Sequence, residues 1–142
     1  MTKALTFQQI FNKVGKHLLT QLEQSRQTNP NDPEFAGRCL YRTHTGLKCA
    51  IGCLIPDDIY DLDMENNSAG HLLTRWTIPG LHHQGYDSHL SRFLNKLQSI
   101  HDDSGRAFDP DYNKEAWSRE LRMLANKYDL STRWITNLLH KA

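Results

Sequence analysis

Cys39-Leu40-Tyr41-Arg42-Thr43-His44-Thr45-Gly46-Leu47-Lys48-Cys49-Ala50-Ile51-Gly52-Cys53-Leu54-Ile55-Pro56-Asp57-Asp58-Ile59-Tyr60 holds all three cysteines of the chain and its longest apolar run, 49–55. In a chain of mean hydropathy −0.66, seven residues without a charged or strongly polar side chain are expected to be buried. Periodicity cannot separate a buried strand from a core helix in so short a run. Ala50 and Leu54, with only Ile51 and Ile55 β-branched, favour two turns of helix. Gly52 is then the flat spot where another backbone comes close. Pro56 ends the segment, and Asp57 and Asp58 suit the first turn of a short helix through Tyr60.

Ahead of the run, 39–43 reads as a short strand and 43–46 as its turn, with Gly46 supplying a positive φ. The chain then returns through Leu47 and Lys48, which brings Arg42 and Lys48 close together at the start of the buried segment. Two cations, Tyr41 to stack or hydrogen-bond, and the backbone N–H groups after Cys49 outline an anion site with Arg38 at its rim. The plainer reading of the same residues is a surface hairpin with two solvated cations.

Working outward, 142 residues suit one domain, 1–142, able to bury about two thirds of its unfolded surface. Seventeen Lys and Arg against sixteen Asp and Glu leave a net charge of +1. No overall field draws the chain to nucleic acid or to an anionic membrane, so neither is expected as its main partner. The opening MTKALTFQQIF has no apolar signal core and no stretch is long enough to span a bilayer, which predicts a cytoplasmic protein. An odd number of cysteines argues against a secreted disulfide framework.

Helical periodicity dominates the flanks. Phe7, Ile10, Phe11, Val14, Leu18 and Leu22 recur at intervals of three and four over 7–24, with a Thr6/Gln9 capping box and a Leu5/Ile10 staple. Residues 25–36 read as a polar loop with two prolines. Ser68 caps a short helix over 69–76, and Asp87 or Ser88 opens a longer one that ends near Gly105. Residues 108–111 read as a turn before a helix over 114–127, and Ser131 caps a last helix whose Trp134, Ile135, Leu138 and Leu139 suit either the core or a homo-oligomer seam. The fold expected is mainly α, a compact helical domain with at most one short β-hairpin around 39–49.

Three constellations compete for chemistry. Cys39, His44, Cys49 and Cys53 offer zinc ligands, but at spacings without the C-x2-C knuckle. Cys49 after Lys48 at a helix start is a setting for a thiolate nucleophile, with no general base selected by sequence, and burial as a small hydrophobe explains it equally. His101-Asp102, with histidines upstream and aspartates downstream, holds ingredients of a helical His/Asp metal phosphohydrolase, in a match of two residues only. Arg75, Trp76, His82, His83 and Tyr86 cluster in the middle of the chain as a stacking or partner surface, or as loop anchors.

The pattern Cys39-x-Tyr41-Arg42, then Gly46-x-Lys48-Cys49-Ala50-x-Gly52-x-Leu54-Ile55-Pro56-Asp57 and Tyr60, followed by Leu97-Gln98-x-Ile100-His101-Asp102 and a Trp117 helix, resembles small proteins encoded by bacteriophages and prophages. The likeness covers most of the chain and brings no activity, cofactor or catalytic residue with it. It implies an accessory binding protein that counteracts a host defence, either by engaging a host protein or by sequestering a small anionic, nucleotide-like ligand. The ligand version rests on Arg42, Lys48, Tyr41, Cys49 and Arg38, with no cofactor and no metal. The competing class is a hydrolase that uses the Cys49 thiol or a His101/Asp102 metal site.

Overall fold

The computed structural model describes residues 4–26, 39–81, 89–107 and 109–140. Its elements are α1 (Phe7–Gln21), α2 (Ala69–Arg75), α3 (His89–Ser104), α4 (Pro110–Tyr128) and α5 (Arg133–Leu139), with short 3-10 turns at Gly52–Leu54 and Leu62–Met64. The fold is mainly α, as the periodicity predicts, and no strand occurs among the described residues.

α1, α2 and α4 start where a side chain satisfies one of the helix's free N–H groups. Thr6 and Gln9 form the reciprocal capping box at α1, and Ser68 accepts from the His71 N–H at α2. The region read as a turn before α4 is instead its start. Asp109 caps by accepting from the Tyr112 N–H, and Pro110 occupies the first helical position, where its missing N–H costs nothing. α5 differs in a smaller way: Thr132 is the cap residue without a side-chain bond, while Ser131 Oγ accepts from the Arg133 N–H. The proposed openers of α3, Asp87 and Ser88, lie outside the described residues, as does the loop 27–38.

α1, α3 and α4 pack on one another, α2 lies against α3, and α5 lies against α1. Phe7 stacks on Phe93 at 4.4 Å between ring centroids, with Tyr128 tilted against both, and these rings join the first, third and fourth helices. Trp134 meets Phe11 edge-on, so the apolar stripe of α5 packs against the core. Buried Asn113 adds a polar tie: it donates to the carbonyls of Leu22 and Arg106 and accepts from the Arg106 N–H. α1 is thereby fastened to the α3–α4 connection. Gln8 clasps the α4–α5 connection through both the N–H and the carbonyl of Ser131.

The central run is buried as expected, with Cys49, Ala50, Ile51, Leu54 and Ile55 all enclosed. It does not form two turns of helix. Ile51 gives its N–H to the Gln98 side chain of α3, and only the 3-10 turn Gly52–Leu54 follows before Pro56. Nor does 57–60 become a helix: Ile59 and Tyr60 both donate to the Pro56 carbonyl in one isolated turn. The hairpin survives as a single antiparallel bridge between Arg42 and Lys48, closed by Gly46 at φ +98°. The 3-10 turn that follows crosses so close that a Cβ at position 52 would overlap the Tyr41 carbonyl oxygen and lie 2.7 Å from its carbon.

Gly52→Ala is therefore expected to lower unfolding stability by about 3 kcal/mol, since neither backbone can yield. Urea unfolding at unchanged m reads this directly. An unchanged midpoint would mean that the Tyr41–Gly52 approach does not exist in solution.

Candidate functional site

The hairpin is fastened to α1 through Lys48. Gln21 accepts from the Lys48 N–H and donates to its carbonyl, and His17 Nε2 donates to the same carbonyl at 2.8 Å. The backbone being fixed, the Lys48 ammonium turns outward to Asp57 Oδ1 at 3.5 Å, and Arg42 Nη1 reaches the same oxygen at 2.8 Å. Arg42 also donates to the Ile55 carbonyl and lies over the Tyr60 ring, 4.7 Å from its centroid. The two cations thus meet, and the anion between them is the chain's own Asp57, whose side chain is 83% exposed. Lys48 first and Arg42 second hold the Asp57 carboxyl below the usual carboxylate range.

Beneath this surface the remaining groups are engaged inward. Glu65 accepts from the N–H groups of Tyr41 and Arg42 and from the Tyr60 hydroxyl. Tyr41 is buried, donates its hydroxyl to the Asn67 carbonyl, and has its phenol pushed up by burial and then by Cys49 and Glu65. Cys49 is wholly buried: its N–H goes to the Tyr41 carbonyl, its sulfur accepts from the Gly52 N–H, and burial raises the thiol well above its ordinary value. The N–H groups of residues 49, 51 and 52 are accordingly already bonded inside the fold. Arg38 lies outside the described residues.

The four zinc-type ligands are not brought together. His44 is exposed at the hairpin tip, while Cys49 is interior. Cys53 donates its thiol to the Ala50 carbonyl and is pushed up to about 12 by burial. Cys39 instead lies with His101 and Asp102, the ligand atoms all within 4.8 Å of one another. Burial and then Asp102 push the Cys39 thiol up to about 12. His101 is fully buried, stacked on Trp117, and its two nitrogens have distinct roles. Nε2 accepts the Ser25 N–H at 2.9 Å, so the ring carries its proton on Nδ1 and donates it to Asp102 Oδ1 at 2.6 Å. A metal would need the Nδ1 lone pair and a proton on Nε2, which would set two donors face to face. The trio suits a hydrogen-bonded carboxylate better than a metal. Among the middle aromatics, Arg75 lies over Trp76 at 4.5 Å, and His82, His83 and Tyr86 are outside the described residues.

One feature escaped the sequence reading. Between α3 and α4 runs an open groove of about 630 Å³. Ile100 and Leu124 form its apolar floor, with exposed Met123 at the side. Lys96 of α3 and Lys127 of α4 meet across it, with Arg92 one turn before Lys96 and the carboxylates of Asp103 and Glu120 also on its walls. The Lys127 amine, within hydrogen-bonding reach of Lys96 and repelling it, holds the Lys96 ammonium below the usual lysine range. These lysines are thirty-one positions apart, and only the α3–α4 packing unites them. No protein-family model, curated protein or solved structure matches the chain.

The anchor at His17 has a pH signature. Burial, ahead of repulsion from Lys48, holds its ring below the ordinary 6.5. The unfolded chain takes up the proton first, so native stability falls as the pH drops through 6.5 towards the folded value. His17→Gln retains an N–H for the Lys48 carbonyl and should flatten this part of the decline in urea midpoints between about pH 7 and pH 5. An equal slope in the variant would show that His17 titrates as it does in an unfolded chain.

Proposed function

We propose that the protein is a small accessory binding protein of bacteriophage type that captures an anionic, nucleotide-like ligand in the α3–α4 groove and so counteracts a host defence. The supporting observation is the groove itself, where Lys96 and Lys127 face each other above an apolar floor. At about 630 Å³ it lies within the range of small-molecule sites, which are commonly apolar with a few charged groups to fix orientation. A phosphate between the two ammonium groups relieves their repulsion, and the floor of Ile100 and Leu124 offers a face for a base. The hairpin cations make a weaker site, because Asp57 would have to leave before a ligand entered. Hydrolysis through Cys49 fits poorly with a thiol that is enclosed and held protonated.

A host protein as the partner is the second reading. Leu62 favours it, being 74% exposed on a turn between the exposed carboxylates of Asp61 and Asp63.

Thermal unfolding with a panel of nucleoside monophosphates and cyclic nucleotides tests the first reading. A ligand at a hundredfold excess over its Kd contributes about 2.7 kcal/mol, on the order of 8 °C in a domain of this size. Lys96→Ala with Lys127→Ala should abolish the shift and weaken any response to salt, yet raise the midpoint of the free protein, since a repulsion is removed. Equal shifts in wild type and double variant would place capture elsewhere. No shift with any nucleotide, together with a host-protein complex lost in Leu62→Asp, would favour the second reading.

A further inference from the structure

Asn95, Gln98 and Asp102 stand at intervals of three and four on α3 and line a second cavity of about 170 Å³, closed on its other sides by Cys39, Tyr41 and Glu65. Asp102 is one of two carboxylates here, and its side chain is 33% exposed. Its Oδ1 accepts from Gln98 Nε2 at 2.8 Å and from His101 Nδ1 at 2.6 Å, and the Cys39 sulfur lies within 4.8 Å of the same carboxyl. Gln98 is itself fixed by accepting the Ile51 N–H. The carboxylate is therefore held in one orientation by two donors.

Both of these donors are neutral. His101 looks like a counter-ion, but the Ser25 N–H on Nε2 leaves the ring one proton, which it shares with Asp102 without bringing a charge. Glu65 is in the same condition, its oxygens taking two backbone N–H groups and a tyrosine hydroxyl. Among the described residues no lysine or arginine lines the cavity; Arg26, which bridges to Cys39 from outside the lining, acts on the Cys39 thiol. Two fixed carboxylates with no cation in the lining give the cavity a negative potential, the opposite of the groove on the neighbouring face of α3. Its volume equals the share of about six water molecules, too little for a nucleotide.

We propose that this cavity binds the head group of an organic cation, an alkylammonium or a guanidinium, which pairs with Asp102 and hydrogen-bonds at its rim to Asn95. His101 and Gln98 act as positioning residues, setting the carboxylate before the cation arrives. The head group belongs either to a free small molecule or to a lysine or arginine side chain of a partner.

The test is chemical-shift titration of the full chain with methylguanidinium and n-butylammonium, with N-methylurea as the neutral analogue of the first, and with the peptide acetyl-Ala-Arg-Ala-amide. Saturable shifts around Asn95 and Asp102 are expected with the cations, and at least tenfold weaker ones with N-methylurea. Preference for the free cations or for the peptide identifies the source. Asp102→Asn retains an acceptor for Gln98 and His101 but removes the charge, and should weaken cation binding at least tenfold. Should that variant not fold, Asn95→Lys, at an exposed position, places a competing ammonium at the rim and should have the same effect. Lys96→Ala with Lys127→Ala should bind the cations normally, which separates this site from the groove. Equal binding of N-methylurea, undiminished binding by both Asp102→Asn and Asn95→Lys, or no cation binding would overturn the proposal. So would stoichiometric zinc uptake lost in Cys39→Ser, which would make the trio a metal site.

Discussion

The backbones at Tyr41 and Gly52 approach as closely as they do only because Gly52 carries no Cβ, and the fold around the hairpin depends on that approach. The Tyr41 carbonyl takes the Cys49 N–H at 3.2 Å while lying against the bare face of Gly52. That one oxygen fixes where the hairpin returns. With Tyr41 placed, its own N–H and that of Arg42 meet Glu65, its hydroxyl reaches the Asn67 carbonyl, and Arg42 is led to Ile55 and Asp57. A side chain at position 52 would push the hairpin off the core and leave the Glu65 carboxylate without its backbone donors.

The charges of the protein are then sorted by what their neighbours allow. At the hairpin two cations converge on a carboxylate of the same chain, an arrangement complete in itself. On α3 the sorting runs the other way. One face places lysine against lysine, and an adjacent face holds an aspartate among neutral donors. Neither arrangement is balanced from within. A chain with a net charge of +1 therefore carries separate surfaces of opposite charge on one helix.

Much of the scaffold was legible because its causes are local. Thr6 with Gln9, Ser68 before its helix and the leucine stripes of α1 and α3 work within a turn or two of themselves, so spacing alone reveals them. The start of α4 was hidden by Asp109-Pro110, a pair that suits a turn and a helix start equally. In the run 49–55 the pattern was silent, for seven apolar residues have no polar phase to read; the run tightens into the 3-10 turn Gly52–Leu54, with the Ile51 N–H taken by an amide on α3, forty-seven positions away. The candidate sites were less legible still. Arg42 and Lys48 come together through a short turn that can be read in sequence, but Lys96 with Lys127, and Cys39 with His101 and Asp102, meet only through helix packing.

Asn113 carries a consequence for motion. Its side chain binds the C-terminal end of α1, ninety-one positions earlier, and both polar groups of the Arg106 backbone. Local fraying at any of these places would leave a buried amide without partners, which costs roughly 1–3 kcal/mol on top of the opening itself. The end of α1, the α3–α4 connection and the first turns of α4 therefore open as one cooperative unit, and their amide hydrogens exchange with solvent only when that unit unfolds. The C-terminal end of α3, which bears Asp102 and Asp103, runs directly into this unit and is held at that end by it.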